Sequence, residues 1–184
     1  MNKQILQWPN PNLRKVSDPV NLEDPDDKIR CKKIIKDLKD TLNVRNGLGI
    51  AAPQVGYLKR VFILNLSGYD INPFGKDDDF NVFINPVLKL SGEKVKWKEA
   101  CLSVSWDGEI VERFSDCEIE YYDEEYNKNS IKLSWPISGI LQHEFDHLDG
   151  ILYVGRISRL KRSIIRKKIL KKRKAQHRLS KRLN

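Results

Sequence analysis

The chain has 184 residues and a formal net charge of +9; 40% of its residues are hydrophobic and 32% are charged. This composition excludes a disordered or collagen-like chain, and the length suffices for one domain with a real core. All 25 acidic residues lie in 1–155 with 20 Lys and Arg, whereas 156–184 holds 14 basic residues and no acidic one. The sequence therefore predicts an acidic body near −5 (1–155) and a basic tail of +14 (156–184).

The sequence carries few features that indicate a cellular compartment. No run approaches the roughly 18 apolar residues that span a bilayer, and the first residues lack the apolar region of a secretory signal. The three cysteines, Cys31, Cys101 and Cys117, show no close pairing that would indicate a disulfide framework. We therefore expect a cytoplasmic protein without a membrane span.

The first predicted helix follows an irregular, proline-punctuated segment at 8–20. It begins at about Asp26, where acidic residues occupy the first turn. Apolar residues then recur at a period of 3.6, which is typical of an amphipathic helix. These are Cys31, Ile34, Ile35, Leu38 and Leu42.

Strand-like runs separated by Gly- and Asp-containing turns predict antiparallel hairpins in the middle of the chain. The runs are Arg60–Leu66, Asn81–Ile84, Val87–Leu90, Val95–Trp97, Glu109–Val111, Cys117–Tyr122 and Ser130–Leu133. Loops are predicted at 46–56, which is rich in small residues, and at 67–80. A second helix is predicted from about Pro136 to Leu148, with Gly150 as its stop.

The tail is predicted to begin as an amphipathic helix, because Ile157, Leu160, Ile164 and Ile165 recur at helical spacing. Past Leu170, the Lys- and Arg-rich run predicts a segment that is frayed or disordered when free. The fold class is therefore α+β, with antiparallel β-sheets packed around a central helix, an N-terminal helix and a C-terminal basic helix.

The segment His143-Glu144-Phe145-Asp146-His147 lies in the second predicted helix. Histidines four residues apart lie one turn apart on one helix face, so both imidazoles can bind one metal ion. Glu144 can reach a water at that ion without binding the ion itself. The alternative is a surface helix whose residues pair with Lys or Arg. The residues alone leave the third ligand open between another histidine, a downstream glutamate and a cysteine such as Cys101.

Three motifs, in this order and at this approximate spacing, resemble the signature motifs of the peptide deformylase family. They are Gly47-Leu-Gly-Ile-Ala-Ala-Pro-Gln54, Glu99-Ala-Cys-Leu-Ser103 and Gln142-His-Glu-Phe-Asp-His147. The resemblance covers roughly residues 4–155. It implies a catalytic body in which Cys101 is the third metal ligand beside His143 and His147. It also implies hydrolysis of the N-formyl group on the starting methionine of nascent peptides, with release of formate.

The resemblance also implies a catalytic or binding role for several residues around the metal ion. Glu144 is the implied general base and acid, and the Gln54 amide and the Leu102 backbone N–H are the implied donors to the oxyanion. The residues implied to contact substrate are Gly47, Leu48, Gly49, Trp97 and Ile140. For Leu48, Trp97 and Ile140, packing in the hydrophobic core is an equally good interpretation. The implied ion is Fe²⁺, for which Zn²⁺, Ni²⁺ or Co²⁺ can substitute.

The second motif also departs from the family pattern. Ala100 stands where the family usually has Gly, and Gly108 stands where some bacterial members carry an Arg near the mouth of the site. We therefore expect weaker dependence on the substrate residues that follow methionine. Glu99 and Arg113 are predicted to pair behind the metal loop.

The basic tail predicts salt-dependent binding to a polyanion. In bacterial members of the family a C-terminal helix docks on the ribosome, so the resemblance implies the ribosome as partner. The residues expected to contact it are Arg166, Lys167, Lys168, Lys171, Lys172, Arg173 and Lys174. An anionic membrane and a merely solvated charge run are the other interpretations.

Two further functions are weighed. A His-Glu-x-x-His metallopeptidase leaves the motifs around Cys101 and Gln54 unexplained. A ribosome- or RNA-binding module with a vestigial metal site is disfavoured by the intact Glu144 and ligand residues. The enzyme is expected to be a monomer.

Overall fold

One antiparallel sheet of five strands runs through the computed structural model, which describes residues 2–45, 47–67, 72–74 and 80–183. Its strands are β1 (Gly49–Ala51), β2 (Val61–Leu64), β3 (Asn81–Cys101), β4 (Val104–Tyr122) and β5 (Lys128–Ser134). Each strand pairs with its neighbour in the chain, so sheet order equals chain order and β1 and β5 are the edges. Most of the predicted loop 67–80 lies outside the described residues, as does Asn46.

The α+β fold class is confirmed, but the hairpin of β3 and β4 corrects the prediction of several short strands. The runs predicted at 81–84, 87–90 and 95–97 all belong to β3. Register shifts between Ile84 and Val87 and between Ser91 and Lys94 replace the expected turns. Gly92, with a φ of 77°, lies at the second shift. Such bulges bend a strand without ending it, so turn-forming residues were absorbed into one long strand.

The first helix, α1 (Pro25–Leu42), begins where the acidic turn predicts. The side chain of Asp24 caps it by accepting a hydrogen bond from the Asp26 N–H at 2.9 Å. Its predicted apolar stripe is buried in a cluster shared with β1 and β2. The helix thereby covers one face of the sheet edge that carries β1.

The second helix, α2 (Ile137–Leu148), packs against the sheet as the predicted central helix. Leu141 and Leu148 are fully buried in a cluster with Phe62 and Phe83. Gly150 has a φ of 69°, and a Cβ there would lie 2.5 Å from the Arg14 carbonyl oxygen. The helix therefore ends at a position that only glycine fills without strain.

The third helix, α3 (Arg159–Leu183), continues well past Leu170, so the expectation of a frayed segment there is wrong. The tail contains no Gly or Pro and is rich in Lys, Arg and Leu, which are strong helix formers. Ile165 and Ile169 are buried in a cluster with Trp8 and Val104 of the body. The change of charge at 155 is thus not a boundary of packing. No helix among the described residues has the length and apolarity to cross a membrane.

Candidate active site

The three predicted ligand residues converge where β3 meets α2. Cys101 is the last residue of β3, and its Sγ lies 3.3 Å from Nε2 of His147. The ligand atoms of Cys101, His143 and His147 all lie within 4.8 Å of one another, and the imidazole rings stand at 83°. Within the described ranges, this is the only group of three or more such side chains placed to hold a metal ion.

The donor set fits a catalytic metal ion. One thiolate and two imidazoles make three protein ligands, which leaves a position for water or substrate. Burial, the largest influence, holds the pKa of His147 well below its usual value, so this imidazole is the neutral form that binds metal. The ring nitrogen Nδ1 of His143 lies 2.8 Å from Oε2 of Glu99, which leaves Nε2 for the ion.

A buried ion network holds Glu99 in place. Arg113 donates from Nε to one oxygen of Glu99 at 2.6 Å and from Nη2 to the other at 3.0 Å, which confirms the predicted pairing. Its Nη1 donates to Asp146 at 2.6 Å. Arg156 donates to the same carboxylate from Nε at 2.6 Å. The network extends through Asp146 to Arg156, so it links a metal ligand to the first residue of the tail. The sequence motifs did not predict this extension.

Glu144 is 4% exposed, and its Oε2 has no hydrogen-bond partner among the described residues. Burial, the largest influence, raises its pKa to about 7. A carboxylate of this pKa can both accept and return a proton near neutral pH, as general acid–base catalysis needs. Glu144 also lines the cavity beside the ligands.

Gln54 lies in a short 3-10 helix, Ala52–Val55, directly after β1. Its Oε1 accepts a hydrogen bond from the Ala51 N–H at 2.8 Å, which fixes the orientation of the amide. Its Nε2 consequently points toward the ligand thiol, 3.6 Å from Sγ of Cys101 and 3.3 Å from Oγ of Ser103. An amide donor beside the metal cluster is suited to stabilising a developing oxyanion.

A cavity of about 380 Å³ opens onto the cluster. All five residues predicted to contact substrate line it, together with Glu144, Gln54, Leu102, Cys101 and His143. Lys98, Glu99 and Ala100 also line it. Lys98 was not identified from the sequence; its signal was its position between Trp97 and the second motif. None of the basic residues predicted to bind the ribosome lies here, since they all belong to α3.

The predicted ribosome-contacting residues lie along α3. All are exposed except Arg173, which is half-buried and donates to Oε1 of Gln7 at 3.4 Å. The ammonium of Lys168 lies 5.5 Å from the ring centroid of Trp106. The helix therefore offers a mainly solvated basic face.

Comparison with known proteins gives one family. Residues 2–163 match the family model described as polypeptide deformylase. The chain is 39% identical to a peptide deformylase of Rhizorhabdus wittichii, covering 94% of the chain and 96% of the relative. A crystal structure from Legionella pneumophila superposes with a TM-score of 0.81 at 30% identity, covering 97% of this chain and 99% of that one. One from Ehrlichia chaffeensis, in complex with actinonin, gives 0.81 at 32% identity, covering 93% and 97%.

Proposed function

The chain belongs to the peptide deformylase family, a family of metal-dependent hydrolases acting on N-formyl peptides, and on that premise we propose a role for each residue of its site. The proposed ligands are Cys101, His143 and His147. The observation that carries the assignment is the convergence of these donors on a cavity that also holds Glu144 and Gln54.

A divalent ion held by these ligands supplies a Lewis acid that makes water nucleophilic near neutral pH. Glu144 accepts the proton at its unpartnered Oε2 and later delivers it to the leaving amine. The amide Nε2 of Gln54 and the backbone N–H of Leu102 are the proposed donors to the formyl oxygen as negative charge develops there.

The substrate backbone is proposed to add to β1 as an extra strand. Among the described residues, this strand is an edge of the sheet and pairs only with β2. An unpaired edge offers main-chain donors and acceptors to an extended peptide. Gly47 and Gly49 allow that peptide to approach closely, and Leu48, Trp97 and Ile140 provide an apolar wall for the methionine side chain.

Formate release tests this function. Purified wild type should release formate from formyl-Met-Ala-Ser, and Glu144→Ala should reduce kcat by about 10²- to 10⁴-fold at unchanged metal content. Equal metal content in the two proteins is the control for site assembly. No formate from metal-replete wild type would end the proposal, and casein cleavage in its place would favour a metallopeptidase.

We propose Fe²⁺ as the physiological ion, with Zn²⁺, Ni²⁺ and Co²⁺ as substitutes. The thiolate and imidazole ligands accept all four ions, so the donor set alone is permissive. Metal analysis of anaerobically purified protein, with activity measured per metal ion, tests the choice. Higher activity per metal with Zn²⁺ than with Fe²⁺ would contradict it.

We propose that the enzyme works in the cytoplasm, as a monomer, at ribosomes bound through α3. The support is the exposed row of basic residues on this helix, which carries no acidic residue. Reversing Lys167, Lys171 and Lys174 to Glu should abolish co-sedimentation with ribosomes at low salt, while turnover of a free formyl peptide is retained. Unchanged co-sedimentation would contradict the proposal.

A further inference from the structure

A second and larger cavity lies behind the active site and shares no lining residue with it. It is a groove of about 1160 Å³ between the β3–β4 hairpin and the junction of α2 with α3. The hairpin contributes Lys94, Lys96 and Glu112, and the opposite side contributes Arg14 and Arg162.

The acidic residues that line this groove are paired with basic residues. Asp146 is bound by Arg113 and Arg156, as in the network behind the metal cluster. Asp149 accepts a 2.7 Å hydrogen bond from Nη1 of Arg60. Glu112 lies within 3.7 to 4.0 Å of two lysine ammonium groups of the hairpin. Each of these three carboxylates therefore already has at least one basic partner.

Arg14 and Arg162 line the same groove, and neither forms an ion pair with any residue in the part of the chain that the structure describes. Partial burial and the nearby charge of Arg162 both lower the pKa of Arg14, and the guanidinium remains protonated. Two like charges held together without a counter-charge repel each other. A bound anion relieves that repulsion, and the planar guanidinium fork matches phosphate oxygens.

Gly155 keeps the Arg14 guanidinium accessible. A Cβ built at this glycine would lie 3.3 Å from Nη1 and 3.8 Å from Nη2 of Arg14. An acidic side chain here would pair with Arg14 internally. With glycine, the donors of Arg14 stay open to a ligand in the groove.

We propose that Arg14 and Arg162 bind a backbone phosphate of RNA, so that the groove extends the basic face of α3 onto the body. This inference rests on the proposed ribosome association. RNA is favoured because Arg162 belongs to α3, the helix that carries Arg166 and Lys167 one turn further on. One strand can therefore contact the helix and enter the groove.

The test uses the full-length metal-loaded enzyme and a fluorescently labelled RNA stem-loop, with affinity measured by anisotropy across a salt series. Each phosphate contact contributes about 0.7 to 0.9 to the slope of log K against log salt. Arg14→Gln should therefore weaken binding about fivefold near 0.1 M salt and reduce that slope by about 0.7. Gly155→Asp should do the same by neutralising Arg14 internally, and Arg14→Lys should retain the slope.

Arg30→Gln on α1 is the matched control, because it removes one exposed arginine charge outside the groove. Formate release from a free formyl peptide should be unchanged in all variants, which shows that they are folded. If wild type binds the RNA and both groove variants behave like Arg30→Gln, the groove inference is wrong and the role of α3 stands. If wild type binds no RNA, or only anionic vesicles, both proposals fail.

Discussion

Gly49 has no room for a side chain. A Cβ at this position would lie 2.8 Å from Cγ and Oε1 of Glu144 and 2.7 Å from Cδ2 of Leu64. Leu64 is fully buried and cannot yield easily, so the carboxylate has to move. A displacement of this kind changes the geometry of proton transfer while leaving the metal ligands in place.

Gly49→Ala should therefore lower kcat by about 10- to 100-fold, because small misplacements of a catalytic group carry costs of that order. Bound metal should stay at the wild-type level. Steady-state kinetics with a formyl peptide and metal analysis measure both. Gly155→Ala is the control, since its Cβ meets only the flexible end of Arg14; an unaffected kcat in Gly49→Ala would show that Glu144 tolerates the shift.

The three cysteines should differ in reactivity. Burial raises the pKa of Cys31 to about 12 and that of Cys117 to about 11, so both stay protonated and inert at pH 8. Cys101 is half-buried at the cavity. Iodoacetamide should label Cys101 alone in metal-free protein, and added metal should protect it. Peptide mass mapping reads the site of labelling, and metal-independent labelling of Cys101 would count against its role as ligand.

The sequence predicts individual site residues best where the residues of a motif are close together in the chain. His143, Glu144 and His147 are adjacent in the chain, and helical spacing alone places the histidines together. Asp146 belongs to the same motif, yet its contact with Arg113 depends on how β4 packs on α2, which no local pattern encodes. Long-range ion pairs of this kind come only from the folded chain.

Strand β4 carries a buried side chain, Arg113, that binds both β3 and α2. Arg113 is 2% exposed and binds Glu99 of β3 and Asp146 of α2. Removing one partner of a buried ion network leaves charges without compensation. This guanidinium therefore links the hairpin to the central helix, beside the hydrogen bonds of Gln142 and Ser138 to β4.

Arg113→Leu should lower the free energy of unfolding by about 3–5 kcal/mol, as measured by urea denaturation. Metal affinity should also fall, by about 10- to 100-fold, since Glu99 no longer orients His143 firmly. Lys128→Leu provides the comparison, because its ion pair with Glu120 is exposed and should contribute little. A small loss in Arg113→Leu would mean that water or Arg156 replaces the missing donors.

Helix α3 contributes to the core as well as to the charge. Ile165 and Ile169 are 1% and 2% exposed. Ile169→Ala should cost about 2–5 kcal/mol in urea denaturation, as for other buried isoleucines, and truncation after Gly155 should destabilise the body further. Exposed Leu160→Ala is the control. Equal stability of Ile169→Ala and wild type would show that the helix is an independent appendage.

The elements were predictable to different degrees. An acidic first turn and an apolar stripe identified α1, and a proline in the first turn with Gly150 as the stop identified α2, almost to the residue. Strand β1 was missed inside a small-residue loop, since three residues carry no measurable alternation. The long β3 was divided at Gly92, because a glycine at a bulge and a glycine in a turn look the same in sequence.

For the whole molecule, stability should depend on pH through buried carboxylates far from the metal. The hydrogen bond from Lys59, the largest influence, outweighs burial and lowers the pKa of Asp27. Around Asp37, burial is outweighed by hydrogen bonds from Lys33 and Tyr57, and the pKa falls well below its usual value. A folded-state pKa below the unfolded value stabilises the fold above that value, and this contribution is lost as the pH falls through the folded pKa.

The contribution of these two carboxylates to the free energy of unfolding of metal-free protein should therefore be constant above about pH 5 and fall steeply below about pH 4, where unfolded aspartates protonate. Asp27→Asn should make that fall shallower, whereas Asp107→Asn, at a fully solvated side chain, should leave it unchanged. Urea midpoints across the pH series measure the effect. Identical acid profiles for Asp27→Asn and wild type would contradict it.

The contact between Asp146 and Arg156 has a consequence for how such enzymes can be recombined. A protein engineer who joins this body to a foreign C-terminal segment at the charge boundary would discard Arg156, and with it two of the three side-chain hydrogen bonds to the buried carboxylate of Asp146. A chimera that keeps the native chain through Ile157 retains that guanidinium. The site of exchange is thus set by a hydrogen bond that three contacts separate from the metal ligand His143, even though the sequence changes character after residue 155.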